Sequence, residues 1–284
     1  MENYTKAQVL IQALPYIKKF SGKTIVVKYG GNAMINEALK ENVIKDLVLM
    51  KCIGINIVIV HGGGPFITDL SNKLNIQSQF INGLRYTDKD TIEVVQMVLA
   101  GKVNKEIVAL LQKHGENALG ITGIDGNLLK AKPICSDVDL GYVGDITKVN
   151  VKLVEDILQL GYIPVVGSIA SGDNDGNLYN INADTCAAKI AAALKAEKLI
   201  LLTDVDGVCL DPKDKSTLIS TLKLHEIPKY EQDGIIKGGM IPKIECCVEA
   251  IRNGVKTSHI INGTTPNSLL LEVLSDEGIG TMIY

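Results

Sequence analysis

Short runs of consecutive apolar residues alternate along the chain with longer segments whose apolar positions recur every three or four residues. Residues 24–28 (TIVVK), 55–60 (INIVIV), 162–167 (YIPVVG), 198–202 (KLILL) and 256–261 predict strands. Unbroken apolar character of this kind belongs to strands buried on both faces, as in a parallel sheet covered by helices. The intervening segments predict helices at 36–53, from Pro65 onward, 88–114 with a weak point at Gly101, 150–160, 182–195, 222–231, 240–253 and 266–274. Pro65 suits a first helical turn, where its missing N–H has no partner to lose. The alternation predicts an α/β fold, a three-layer α/β/α sandwich around a mainly parallel central sheet. Right-handed crossovers then bring the strand ends, and any ligand site, to one sheet edge.

Residues 5–20 predict an additional helix before the first strand. Thr5 and Gln8 have capping-box spacing, Val9, Leu10, Ala13, Leu14 and Ile17 have helical spacing, and Pro15 is expected to kink or interrupt it. A β-rich stretch is expected over 117–149, and Gly172-Asp173-Asn174-Asp175-Gly176 predicts a hairpin turn. The turn-rich stretch 168–180 is the best candidate seam in a chain without a clear linker.

Length and composition narrow the function classes. The 284 residues, 46 % of them hydrophobic and 21 % charged, can bury a sizeable core and exclude disorder or a disulfide scaffold. A net charge of −3 and 4 % aromatic residues argue against a nucleic-acid-coating or base-stacking surface. The longest apolar runs fall short of a membrane span, and no secretory signal precedes the fold, so a cytoplasmic protein is expected. None of the six cysteines has CxxC spacing, so they are expected to be small buried hydrophobes in a reducing compartment.

Glycine is the departure from average: 27 of 284 residues, against a usual share of about 7 %. Three clusters stand out, Lys28-Tyr29-Gly30-Gly31-Asn32, His61-Gly62-Gly63-Gly64 and Lys237-Gly238-Gly239-Met240, each expected to follow a strand. Bare backbone at a strand-to-helix junction cradles phosphates and carboxylates, and two of the clusters have a lysine nearby. Known phosphate motifs fail here. Gly22-Lys23-Thr24 has a P-loop tail but Ile17 where the first glycine belongs, and a dinucleotide fingerprint starting at Gly62 meets Ile67 in its last position. That failure counts against oxidoreductase chemistry on a dinucleotide fold.

KYGGNAM (28–34), HGGG (61–64), NGLRYT (82–87), NINAD (180–184), LLTDVDGV (201–208) and GGMIPK (238–243) occur in that order. Over residues 22–284 they resemble the acetylglutamate kinases of the amino acid kinase family. The resemblance implies transfer of the γ-phosphoryl group of ATP to the side-chain carboxylate of N-acetyl-L-glutamate, in arginine biosynthesis. It implies Lys28 and Lys243 as transition-state cations and Asp184 as the aspartate that holds them. It implies Gly63, Gly64, Arg85 and Asn180 at the acceptor, and Gly30, Gly31, Asp204, Gly238 and Gly239 at the nucleotide. Magnesium is expected on the phosphates, with no protein ligand assigned. A carboxylate acceptor is ionised at neutral pH and needs no general base, which accounts for the missing Ser-His-Asp set; His61 is read as a spacer. Read alone, Asp184 also suits the first turn of a helix, Lys28 a solvated strand flank, Lys243 a helix surface, Arg85 a loop and Asn180 a turn.

The resemblance also implies a division into a helix over 1–22, an acceptor lobe over 23–176 and an ATP lobe over 177–284. An added N-terminal helix resembles the arginine-inhibited type, a homohexamer built as a trimer of dimers. His259, Gly263, Glu272 and Gly278 are similar to its L-arginine site. A PII-type regulator is left open. Aspartate, glutamate, carbamate and UMP kinases are the alternatives within the family. A non-catalytic arginine sensor is the alternative outside it, and the presence of Lys28, Lys243 and Asp184 counts against it.

Overall fold

A computed structural model describes residues 3–284 and, in the first helix, the side chains at 8 and from 10 onward. The strands are β1 (Thr24–Tyr29), β2 (Asn56–His61), β3 (Phe80–Ile81), β4 (Leu84–Arg85), β5 (Ala118–Thr122), β6 (Leu129–Pro133), β7 (Gly144–Val149), β8 (Ile163–Gly167), β9 (Ile169–Gly172), β10 (Leu178–Asn180), β11 (Lys198–Thr203), β12 (Thr221–Leu222), β13 (Thr257–Asn262) and β14 (Thr281–Ile283). The α-helices are α1 (Asn3–Phe20), α2 (Glu37–Cys52), α3 (Gly64–Lys73), α4 (Lys89–Gln96), α5 (Asn104–Lys113), α6 (Lys152–Gln159), α7 (Ala183–Ala193), α8 (Ile227–Gln232), α9 (Met240–Arg252) and α10 (Ser268–Leu274).

Eight strands form the central sheet in the order β12-β14-β13-β11-β1-β2-β8-β5. Every neighbouring pair is parallel except β13–β14. Strand periodicity divides the core between the two faces. Val26 of β1 joins α6, α7 and α9 in one apolar cluster. Ile25, Val27 and Tyr29 join α2, α3, α4, α5 and α10 in the other. The three-layer α/β/α expectation therefore holds. At β1 the strand order turns, with β2 on one side and β11 on the other, which is where open α/β sheets place ligands.

Several local expectations change. Helix α1 is already under way at Asn3, so Thr5 is not its N-cap, and it runs through Pro15 without ending. Proline removes a single hydrogen bond there, while Phe20 is buried and Tyr16 packs on the core. The weak point at Gly101 is a π-helical stretch, Met97–Val103, that widens the helix without breaking it. The helix expected at 222–231 begins only at Ile227, because Thr221–Leu222 pairs with β14. Over 168–180 the expected hairpin turn is present: β9 and β10 pair antiparallel on either side of it, within a second sheet, β10-β9-β6-β7. Cys52 and Cys135 are exposed, unlike Cys186, Cys246 and Cys247. Both exposed cysteines lie where the chain passes at the surface, outside the buried strand runs.

Candidate active site

The C-terminal ends of the parallel strands converge on one side of the sheet. Lys28 is the penultimate residue of β1, beside Leu201 of β11 and Val60 of β2. Asp184 stands in the first turn of α7, whose N-cap Asn182 accepts hydrogen bonds from the N–H groups of Asp184 (2.9 Å) and Thr185 (3.2 Å). The helix start suits the carboxylate, as its position in the sequence suggests, and the carboxylate does more. Its Oδ1 lies 3.1 Å from Lys28 Nζ, and its Oδ2 accepts a 2.7 Å hydrogen bond from Lys243 Nζ near the start of α9. Burial works against charge on Asp184, but the two ammonium groups outweigh it and hold the carboxyl below its ordinary range.

Two cavities flank this ion triad. One, of about 300 Å³, is lined by Lys28, Gly30, Gly63, Gly64, Arg85 and Asn180 among others. The second, of about 670 Å³, is lined by Lys28, Asp204, Lys215, Lys237, Gly239 and Lys243 among others. Lys28 and Gly31 line both. A molecule in each cavity would thus meet the other at the end of β1.

The backbone between β1 and α2 fits this crossing point. Gly31 has φ +69°, and a Cβ there would stand 2.9 Å from Asp204 Oδ1, the same oxygen that accepts a 2.9 Å hydrogen bond from Asn32 N–H. At Gly30 the backbone is extended, and a Cβ would stand 2.8 Å from Lys28 Nζ. Gly30 lines the smaller cavity and Gly31 both, whereas the resemblance put the pair at the nucleotide.

Arg85 is buried, and burial pulls its pKa down. It donates to Gly64 O (2.9 Å), Thr68 Oγ1 (2.7 Å) and Ser78 Oγ (2.8 Å), and its guanidinium lies 4.7 Å from the Phe80 ring centre. A planar fork held in this way, and still facing a cavity, suits a carboxylate. Asn180 Nδ2 donates to Thr87 Oγ1 (3.2 Å), which donates to Arg85 O (2.8 Å), so the two acceptor candidates are tied together. Asn180 follows the proposed lobe boundary at 176/177 yet lines the smaller cavity, because β10 belongs to the second sheet on that side.

His61 is fully buried, and burial pulls its pKa down to about 4. The neutral ring donates from Nδ1 to Gly62 O (2.9 Å) and accepts at Nε2 from Asn104 Nδ2 (3.1 Å), the arrangement of a loop brace. Asn104 was not singled out from the sequence. It also donates to Ile121 O and Val165 O, anchoring the glycine loop to β5 and β8.

The third glycine cluster follows α8 and a turn, contrary to the expectation of a strand. Gly239 lines the larger cavity, and Gly238, with φ +54°, does not. Among the described residues no group of three or more His, Cys, Asp or Glu side chains is arranged to hold a metal ion. No described helix is long and apolar enough to cross a membrane.

The family model for amino acid kinases matches residues 23–262. The chain belongs to the amino acid kinase family. It is 66 % identical to the acetylglutamate kinase of Clostridium beijerinckii over the full length of both chains. It is 58 % identical to that of Caldanaerobacter subterraneus, over 98 % of this chain and 93 % of the other. It is therefore a kinase of the acetylglutamate kinase group. Among solved structures, N-acetylglutamate synthase from Neisseria gonorrhoeae complexed with coenzyme A and L-arginine matches with a TM-score of 0.81 and 25 % identity, covering 98 % of this chain and 65 % of that one.

In this kinase three of the four residues similar to an arginine site come together. His259 Nδ1 donates to Glu272 Oε1 (2.5 Å), and Glu272 Oε2 accepts from Ile279 N–H (2.7 Å) and Gly280 N–H (3.2 Å). Gly278 passes so close that a Cβ would stand 2.9 Å from Glu272 Oε2. Gly263 lies apart, packed against Ala33 and Leu202. Lys198, not anticipated from the sequence, donates to His259 Nε2 (2.8 Å). Burial pulls its pKa down to about 8, although Glu272 works the other way. Phe20 of α1 lies under the Lys198 ammonium at 5.2 Å, and Tyr16 hydrogen-bonds Asp276, so α1 adjoins this cluster.

Proposed function

We propose that this kinase transfers the γ-phosphoryl group of ATP to the side-chain carboxylate of N-acetyl-L-glutamate. The carrying observation is the Lys28–Asp184–Lys243 triad standing where two cavities meet. The acceptor occupies the smaller cavity, its α-carboxylate on Arg85, with Asn180, Gly63 and Gly64 around it. The nucleotide occupies the larger cavity, toward Asp204 and Gly239. The acceptor carboxylate oxygen forms the new P–O bond, the bond from the γ-phosphorus to the β–γ bridging oxygen breaks, and ADP leaves with the electron pair. No proton moves. Lys28 and Lys243 offset the charge that these anions bring together, the main demand of phosphoryl transfer. Asp184 keeps both ammonium groups in place before the substrates arrive. When bound with the nucleotide, magnesium would supply further positive charge at the phosphates. The acceptor and nucleotide halves correspond to residues 23–176 and 177–284, with Asn180 crossing the boundary and Lys28 serving both.

L-arginine is the proposed feedback inhibitor, bound at the cluster of His259, Glu272 and Gly278 beside α1. Helix α1 exposes Leu10, Ile11 and Leu14. This apolar stripe supports its role as the contact that assembles dimers into a hexamer. The test is an ADP-release assay with N-acetyl-L-glutamate, glutamate, aspartate, carbamate and UMP, with and without arginine. Preference for any acceptor other than the first refutes the assignment. Deleting residues 1–20 is expected to leave an active, arginine-insensitive dimer. Unchanged inhibition and size would remove the regulatory reading.

A further inference from the structure

The larger cavity is lined by four lysines, Lys28, Lys215, Lys237 and Lys243. Three are already committed. Lys28 and Lys243 share Asp184, and Lys215 lies 2.8 Å from Asp206 Oδ2. Lys237 has no ion-pair or side-chain hydrogen-bond partner among the described residues, and it is exposed. It stands just ahead of Gly238, whose φ of +54° turns the chain into α9, the helix that carries Lys243.

This difference has an energetic consequence. A polyphosphate that recruits Lys28, Lys243 or Lys215 must share each with a resident carboxylate. Pairing with Lys237 costs no existing ion pair, only side-chain entropy and some hydration. We infer that Lys237 is a dedicated binding residue for the nucleotide's polyphosphate, separate from the triad that acts on the transferred group. The inference rests on the larger cavity being the nucleotide site. It assigns Lys237 to ground-state affinity, so its loss raises the KM for ATP and leaves kcat nearly unchanged.

Calorimetric titration with adenosine, ADP and ATP tests it on the wild type, Lys237→Met and Lys237→Arg. ATP and ADP are expected to bind about tenfold more weakly to Lys237→Met, the loss of one charge-assisted contact. Adenosine is expected to bind both proteins alike, and Lys237→Arg to recover most of the affinity. Equal ATP affinity in wild type and Lys237→Met, or equal losses for adenosine and ATP, overturns this inference alone. Failure of the wild type to bind any of the three overturns the nucleotide assignment of the cavity as well. Lys237 is exposed, so the variants retain the fold, which a matched urea melt verifies.

Discussion

Replacing Asp184 with asparagine keeps the size of the side chain and removes the charge between Lys28 and Lys243. The two contacts are 3.1 and 2.7 Å. At an effective dielectric constant near 20 these separations correspond to attractions of about 5 and about 6 kcal/mol before desolvation. Burial of the carboxylate and partial exposure of the lysines reduce the usable part. Roughly 3–4 kcal/mol of lost preorganisation, a kcat lower by about 10²–10³, is the expected outcome. The KM values change much less, because Arg85 and the Asp204 and Gly239 side of the larger cavity are untouched. The carboxyl is held below its ordinary range, so the wild type keeps it ionised at neutral pH and the deficit is constant between pH 6 and 8. A steady-state ADP-release assay measures it, with circular dichroism to verify the fold. A variant retaining more than about a tenth of wild-type kcat, or failing only through KM, would refute the reasoning.

Arg85→Lys is expected to raise the KM for N-acetyl-L-glutamate by about 10–100-fold with a smaller change in kcat, since an ammonium cannot reproduce the planar fork; an unchanged KM would mean that Arg85 only braces the loop. Glu272→Gln is expected to weaken arginine inhibition at least about tenfold while basal kcat stays within about twofold, and retained sensitivity in an inhibition titration counts against the cluster. Asp46 is buried, and burial raises its pKa from 3.8 to about 6 against hydrogen bonds from Asn267 and Leu269. The folded state therefore binds its proton more tightly than the unfolded state does. Stability from this group is present below the unfolded pKa and declines by up to about 3 kcal/mol as pH rises from about 4 to about 6. Denaturant melts of wild type and Asp46→Asn should differ by that slope, and parallel pH profiles would contradict it.

The sheet was readable because strands buried on both faces leave unbroken runs such as TIVVK and INIVIV, and the parallel order follows from their alternation with helices. The site was readable in part for a related reason: glycines and lysines collect where those runs end. Its central feature was not, since Lys28, Asp184 and Lys243 meet only through the order of β1, α7 and α9 in space. Asn104 gives no local signal, because its amide is defined by carbonyls from two other strands. The start of the helix expected at 222–231 was misplaced because Thr221–Leu222 is too short to mark a strand by pattern, and its pairing partner lies at the far end of the chain. The capping box at Thr5 was overridden because spacing alone does not set a helix start.

A crystal structure with ADP, aluminium fluoride and N-acetyl-L-glutamate tests the central claim most directly. The account predicts the fluoride between the two anions, with Lys28 Nζ and Lys243 Nζ both at hydrogen-bonding distance, ADP in the larger cavity and the acceptor α-carboxylate on Arg85. ADP in the Arg85 cavity, or a fluoride touching neither lysine, would contradict it.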